Sequence, residues 1–168
     1  MIMTRPGDLL FYPATPRGGL VSRLLGAIQL LMRHGTSATQ YSHVSVAGPA
    51  GVQYEAWMPE SRESLVNPLD VIEVWRPVRA TEEQGLEAMR WASSHLGQRY
   101  DTGRFMFGLF RLRNSNICST FAASAWMDSG YDLARNAGRW ITPNDLISSG
   151  LLEMVSLRYS AAEAIKGE

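Results

Sequence analysis

The chain has 168 residues, of which 45% are hydrophobic and 19% charged, and its 16 basic residues balance its 16 acidic ones. This composition excludes disordered and fibrous proteins and suits one domain with a substantial core. The balanced charge argues against nucleic acid as a partner, because phosphate binding needs a basic surface. We expect a single domain over 1–168, with its core at about 7–159 and a tail at 160–168.

The N-terminal sequence, Met-Ile-Met-Thr-Arg-Pro-Gly-Asp, lacks the basic segment, apolar run and cleavage site of a signal peptide. No apolar run reaches the ~18–20 residues that a transmembrane helix needs. We therefore expect a cytoplasmic protein, or one delivered outside the cell without a cleaved signal peptide. The second case includes a virion-associated protein.

The first part of the chain predicts strands and one amphipathic helix. A short apolar run between prolines predicts a strand at 7–12, and apolar spacing predicts a helix at 18–33. The β-branched segment 43–47 and the segment 52–57 predict a hairpin, because Gly-Pro-Ala-Gly between them is turn chemistry. The helix has two interpretations, namely packing on its own core and contact with a membrane surface or partner.

The second part predicts mostly helices. Residues 59–68 and 98–116 predict loops, and a connection as long as the second is usually functional. The other predicted elements are strands at 71–76 and 152–159 and helices at 81–96, 117–129 and 142–150. Thr81 and Gln84 fit a capping box for the first helix, whose apolar positions 86, 89, 92 and 96 should be buried. The fold class is therefore α+β, a mainly antiparallel sheet packed against helices.

Cys118 is the only cysteine, so an internal disulfide is excluded. Asn116 suits an N-cap, which would place Cys118 in the first turn of its helix. There the helix dipole stabilises a thiolate, and free N–H groups could receive the oxyanion of a tetrahedral intermediate. Small residues at 122–125 would let this helix approach a sheet closely. A lone cysteine can equally be an inert core residue, and both interpretations remain open at this point.

His43 and Glu55 are the candidate partners of this thiol. His43 begins a strand on a face shared with Ser45 and Ala47, whose small side chains leave room for a helix to dock. An imidazole beside a thiol would form a Cys/His dyad. If the residue numbers of two paired positions in the hairpin add up to an even value near 98 or 100, Glu55 lies on the same face of the sheet as His43. Its carboxylate could then orient the imidazole ring. An odd register would separate the two side chains.

Other side chains carry weaker signals. The three histidines show no metal-binding spacing, so we expect no metal and no cofactor. Five tryptophans, including Trp57, could stack on a sugar or peptide, although core or rim positions are the simpler interpretation. Arg104, Arg111 and Arg113 form a basic loop that could meet an acidic partner.

Five ordered segments resemble the motifs of circularly permuted NlpC-type papain-like cysteine hydrolases. They are Gly7-Asp8-Leu9-Leu10-Phe11, Tyr41-Ser42-His43-Val44, Tyr54-Glu55-Ala56, Tyr100-Asp101 and Ile117-Cys118-Ser119. In that branch the histidine strand precedes the cysteine helix, as it does here, and the resemblance covers about 7–145. It implies a permuted papain-like fold with Cys118 as nucleophile, His43 as base and Glu55 as the orienting group.

The resemblance also implies how substrate would be bound. It places Tyr100 beside the nucleophile, where its ring would line the cleft. Tyr41 and Ser119 belong to the same motifs as His43 and Cys118 and are the other candidate substrate contacts.

The commonest substrates of the family are peptide amides of bacterial cell walls. The resemblance therefore implies a peptidoglycan endopeptidase or amidase, a thiol protease acting in cell wall degradation, which a phage particle or lysis system could carry. Two alternatives remain open. One is a lipid acyltransferase or thioesterase of the lecithin–retinol acyltransferase-like branch, whose helix at 18–33 would contact a membrane surface. The other is a non-catalytic module of a phage tail or secretion assembly.

Overall fold

The computed structural model describes residues 4–13, 41–67, 72–101, 115–135 and 141–158. The strands are β1 (Leu9–Pro13), β2 (Tyr41–Ala47), β3 (Val52–Ala56), β4 (Ser61–Leu65), β5 (Ile72–Pro77), β6 (Arg99–Tyr100), β7 (Ser115–Asn116) and β8 (Leu152–Arg158). The helices are α1 (Glu82–Ser94), α2 (Cys118–Asp128) and α3 (Pro143–Ser148). The predicted helix at 18–33, the three arginines of the basic loop and the tail at 160–168 lie outside the described residues.

Six strands form one antiparallel sheet in the order β4–β3–β2–β1–β5–β8, while β6 and β7 pair in parallel apart from it. The predicted α+β class is therefore confirmed. In the hairpin of β2 and β3, Val46 pairs with Tyr54 and Ala47 with Gln53. Each pair of numbers sums to 100, so the even register that His43 and Glu55 require is confirmed as well.

Strand β4 corrects the prediction of a loop at 59–68. It pairs along β3 from Ala56↔Ser61 to Val52↔Leu65 and forms an edge of the sheet. Its sequence, Ser-Arg-Glu-Ser-Leu, lacks apolar alternation because most of these side chains are exposed. Backbone pairing with β3 defines this strand, and a pattern of buried side chains could not have revealed it.

The core lies between the sheet and helices α1 and α2. Val44, Val46 and Tyr54 on one sheet face pack with Phe121 and Trp126 of α2. The body of α2 therefore lies against the valines of β2, and the prediction that it docks on the face of Ser45 and Ala47 is wrong. The valines alternate with those small residues and supply the larger apolar surface.

Helix α1 begins as predicted, with reciprocal hydrogen bonds between Thr81 and Gln84. Its fully buried residues are small ones, Gly85, Ala88 and Ala92, and the predicted core residue Leu96 is 38% exposed. Small residues let α1 lie close to α2, so the larger side chains of α1 sit at the margin of this contact. Within the described ranges, no helix combines the length and apolar character needed to cross a membrane.

Candidate active site

A β-bulge in β2 positions His43. Tyr12 pairs with His43, but the next pair is Pro13 with Tyr41, so β2 carries one additional residue at Ser42. A bulge of this kind re-aims side chains on either side of it. The ring of Tyr41 consequently packs edge-on against Phe11, with centroids 5.4 Å apart, on the helix side of the sheet. His43 instead lies on the face of Ser45.

Glu55 meets His43 on that face. Its Oε2 lies 2.7 Å from Nε2 of the imidazole, and only 3% of the glutamate side chain is exposed. The other oxygen, Oε1, accepts hydrogen bonds from Arg62 Nε and Ser64 Oγ, each at 2.9 Å. Arg62 pairs directly with Glu55 across β3 and β4, which explains why their side chains lie together. The carboxylate thus has donors on both oxygens.

A buried polar network extends from Glu55 along the same face. Ser64 also accepts a hydrogen bond from Gln53 Nε2 at 3.1 Å. The amide oxygen of Gln53 accepts from Tyr12 and from Ser45, the latter at 2.6 Å. Because each of these polar groups has a partner, the network fixes Glu55 without leaving a buried polar group unpaired.

Cys118 is the first residue of α2, and 6% of it is exposed. The N-cap is Ile117, so the prediction of Asn116 as the cap is wrong. Asn116 belongs to β7 and is extended because it pairs with Tyr100 of β6. The N–H of Ile117 is accepted by Thr120 Oγ1 at 3.0 Å. Ile117 has no side-chain acceptor, so its side chain caps none of the first N–H groups of the helix. Cys118 still lies in the first turn, as predicted.

The imidazole of His43 interacts with both the Cys118 thiol and the Glu55 carboxylate. Burial alone would lower the pKa of His43, but hydrogen bonds to Cys118 and Glu55 and the negative charges of both raise this pKa to about 9. Burial would likewise raise the pKa of Glu55, but His43, Arg62 and Ser64 lower it further. His43 is therefore stabilised as an imidazolium and Glu55 as a carboxylate. The structure brings Cys118, His43 and Glu55 together, as the sequence predicted.

Tyr100 lies near the thiol. Strand β6 pairs Tyr100 with Asn116, two residues before Cys118. Burial and the negative charges of Cys118 and Asp101 raise the pKa of the Tyr100 hydroxyl. Tyr100 as a residue is half-buried, so part of it remains accessible.

The other two predicted substrate contacts, Tyr41 and Ser119, form hydrogen bonds within the protein. The hydroxyl of Tyr41 donates to Glu73, whose carboxylate also accepts from Trp75 Nε1 at 3.0 Å. Ser119 is fully buried, and its hydroxyl donates to the carbonyl of Ile141 ahead of α3. These contacts fasten β2 and α2 to their neighbours, and a substrate contact for either residue stays a prediction.

Sequence reasoning missed Arg62 and Ser64 and left Trp57 as a rim or core residue. Trp57 is 42% exposed and meets the His43 ring edge-on at 5.1 Å. The Arg62 guanidinium carbon lies 4.7 Å from the indole centroid. Arg62 and Ser64 were missed because they lie in the unpredicted strand β4. Their only sequence signal was a pair of polar residues two positions apart, which many surface strands share.

No group of three histidine, cysteine or carboxylate side chains in the described part of the chain is arranged to hold a metal ion. The described site combines a thiol, an imidazole and a carboxylate. Comparison of the chain with protein-family models, with curated proteins and with solved structures gives no match.

Proposed function

We propose that this protein is a cysteine hydrolase that cleaves amide bonds by a Cys118–His43–Glu55 mechanism. The observation that carries the proposal is the buried imidazole of His43, which interacts with Cys118 and whose Nε2 lies 2.7 Å from an oxygen of the Glu55 carboxylate. A buried inert cysteine needs no such partners. An activated nucleophile needs a base, and the base needs a group that orients it.

The contacts define the proton transfers. Glu55 is hydrogen-bonded to Nε2 of His43, so Nδ1 is the ring nitrogen that is available to exchange a proton with the thiol. With Nε2–H donated to the carboxylate, Nδ1 carries the lone pair that takes the thiol proton. The thiolate attacks the amide carbonyl, and His43 returns the proton to the leaving amine. Water activated by the same imidazole then hydrolyses the thioester.

The start of α2 would stabilise the tetrahedral intermediates. The backbone N–H groups of Cys118 and Ser119 belong to the first turn, which the Ile117 side chain does not cap and where the helix dipole favours negative charge. Donors of this kind stabilise the oxyanion as it develops. The same N–H groups also favour the thiolate before attack.

The proposed fold is the permuted papain-like one. Its support is the chain order, in which the histidine strand β2 and the glutamate strand β3 precede the cysteine helix α2, and the packing of α2 against both strands. We propose peptide amides of peptidoglycan as the substrate on the resemblance of the motifs alone. A phage particle or lysis system is the delivery route that we propose with it.

Alkylation of Cys118 by iodoacetamide between pH 5 and pH 10 tests the mechanism. In the wild type we expect reaction well below the pKa of about 8.5 of a free thiol, because His43 stabilises the thiolate. At pH 6, His43→Ala should slow the reaction about tenfold or more. His95→Ala, which removes a histidine whose ring stacks on Trp91, is the matched control.

A thiol that stays inert until the protein is denatured would contradict the mechanism and favour a non-catalytic module. If the thiolate is reactive, incubation of muropeptides with wild type and Cys118→Ala tests the substrate. Peptide fragments that appear with the wild type alone are the expected result. Reactivity without cleavage would separate the substrate proposal from the mechanism.

A further inference from the structure

The turn at 57–60 presents an accessible surface beside His43. Trp57 is 42% exposed and Met58 is 45% exposed, although both are large apolar residues. The turn also lies next to Tyr100, whose backbone N–H donates to the Pro59 carbonyl at 2.8 Å. The turn therefore runs from Trp57, which contacts the His43 ring, to Pro59, which is hydrogen-bonded to the backbone of Tyr100.

Arg62 adds a positive charge to this surface. Only Nε of its guanidinium is bonded to Glu55, while the group as a whole lies over the indole of Trp57. The side chain is 49% exposed, and its two Nη groups have no hydrogen-bond partner within the described residues. A guanidinium carries five donors in a planar fork, so the Nη groups remain available to a carboxylate.

The role of His43 determines which part of a substrate this surface would meet. The general acid must lie beside the leaving amine in order to protonate it. Trp57 contacts the His43 ring directly, and Arg62 contacts both Trp57 and the glutamate that bonds His43. The surface consequently lies on the leaving-group side of the scissile bond.

We propose that Trp57 and Arg62 form the leaving-group subsite and select amides whose leaving amine carries a carboxylate. The apolar part of that residue would lie on the accessible part of the indole, and its carboxylate would accept from the Nη groups of Arg62. The carboxylate could be the α-carboxylate of a C-terminal residue or the side chain of an acidic residue. This inference rests on the proposed function, because it assigns a leaving group to the same nucleophile.

Matched affinity labels test the subsite without knowledge of the natural substrate. In a chloroacetyl amino acid, the Cys118 thiolate displaces chloride and forms a thioether, and the amino acid extends toward the leaving-group side. Chloroacetyl-glutamic acid α-amide and chloroacetyl-glutamine α-amide differ only in a side-chain carboxylate. Chloroacetyl-glycine and its amide differ only in the α-carboxylate. The measured quantity is the second-order rate of Cys118 labelling.

In the wild type we expect the acidic member of at least one pair to label about tenfold faster than its neutral partner, as charge-assisted hydrogen bonds allow. Arg62→Gln should abolish this preference, and Arg62→Lys should retain part of it. Arg90→Gln, an exposed arginine on α1, should leave the preference unchanged. Trp57→Ala should slow both members of a pair alike. A preference in the glutamate pair or in the glycine pair identifies the position of the carboxylate.

The ratio within a pair is the decisive measurement, because Arg62→Gln also disturbs Glu55 and can slow every label. Equal rates within both wild-type pairs overturn the subsite, and so does a preference that survives Arg62→Gln. In either case the neutral labels still report a reactive thiol and the proposed function stands. If Cys118 resists all four labels in the native protein, the proposed function and the subsite fall together.

Discussion

The two oxygens of Glu55 have different partners, and this division leaves one oxygen for Nε2 of His43. Oε2 faces Nε2 of the imidazole, while Oε1 takes the hydrogen bonds of Arg62 and Ser64. Three donors therefore converge on one buried carboxylate. A neutral amide could not replace it fully, because its single oxygen would have to accept what two oxygens accept now.

Substitution of Glu55 by glutamine tests this arrangement at nearly constant volume. We expect Glu55→Gln to lower the free energy of unfolding by about 1–3 kcal/mol, since at least one buried donor loses its acceptor. The loss of the negative charge should also lower the pKa of His43 and shift the alkylation of Cys118 to higher pH. Urea unfolding and the pH profile of iodoacetamide alkylation measure the two effects.

Glu63→Gln is the matched control for this experiment. Glu63 is the exposed neighbour of Arg62 on β4, so the substitution should leave both stability and the alkylation profile unchanged. If Glu55→Gln behaves like this control, the carboxylate does not orient His43.

At the scale of elements, the close approach of α1 to the chain ahead of β1 positions the core. A Cβ at Gly85 would lie 2.6 Å from the carbonyl oxygen of Pro6, and Gly7 meets the same stretch of helix. The Gly7 carbonyl in turn accepts the indole N–H of Trp126 at 3.0 Å. Helices α1 and α2 are thus both tied to the residues that lead into the sheet.

Gly85→Ala should therefore destabilise the protein, although alanine favours a helix over glycine by about 1 kcal/mol. The clash with backbone at Pro6 has no flexible side chain to relieve it, and overpacking of this kind costs about 1–3 kcal/mol. Thermal unfolding measures the change, and Glu87→Ala on the exposed side of the same helix is the control. A rise in melting temperature for Gly85→Ala would show that the helix shifts freely.

The elements also show what sequence could and could not predict. The His43–Glu55 pair was predictable because a short hairpin with a recognisable turn restricts the register to few values. Arg62 was not, because an edge strand with exposed side chains has no burial pattern to reveal it. The N-cap of α2 was assigned to Asn116 on residue preference, but the pairing of β7 with Tyr100 holds Asn116 in an extended conformation. Tertiary contacts outweigh local preference at such positions.

At the scale of the whole molecule, alternation along β2 and β3 separates two kinds of interior. Val44, Val46 and Tyr54 face the helices, whereas Ser45 and Gln53 belong to the polar network that ends at Glu55. The strand order that inserts β1 between β2 and β5 depends on long-range pairing. Sequence periodicity carries no information about that order, so the predicted class was confirmed while the topology was left open.

The titration of the site should be visible in the stability of the whole protein. The pKa of His43 is raised from 6.5 to about 9 by its bonds to Cys118 and Glu55. A raised pKa means that the folded state binds the proton more tightly than the unfolded state does. This stabilisation is fully present below pH 6.5 and is lost as the pH rises toward 9. The lowered pKa of Glu55 acts oppositely, because its contribution is lost as the pH falls through its folded value.

The proton that His43 gains comes from Cys118 in the proposed thiolate–imidazolium pair, so the pair holds as many protons as the neutral thiol and imidazole of the unfolded chain. We therefore expect the free energies of unfolding of the wild type and of His43→Gln to run nearly parallel at neutral pH. In Cys118→Ser no thiol proton compensates, and its free energy of unfolding should fall between pH 6 and pH 9 relative to that of Cys118→Ser/His43→Gln, at 1.36 kcal/mol for each unit by which Glu55 still raises the pKa of His43. Urea unfolding at fixed ionic strength, repeated across this range, measures the four curves. If the wild-type curve falls by roughly 2–3 kcal/mol more than that of His43→Gln, the thiol keeps its proton and the charged dyad has to be abandoned.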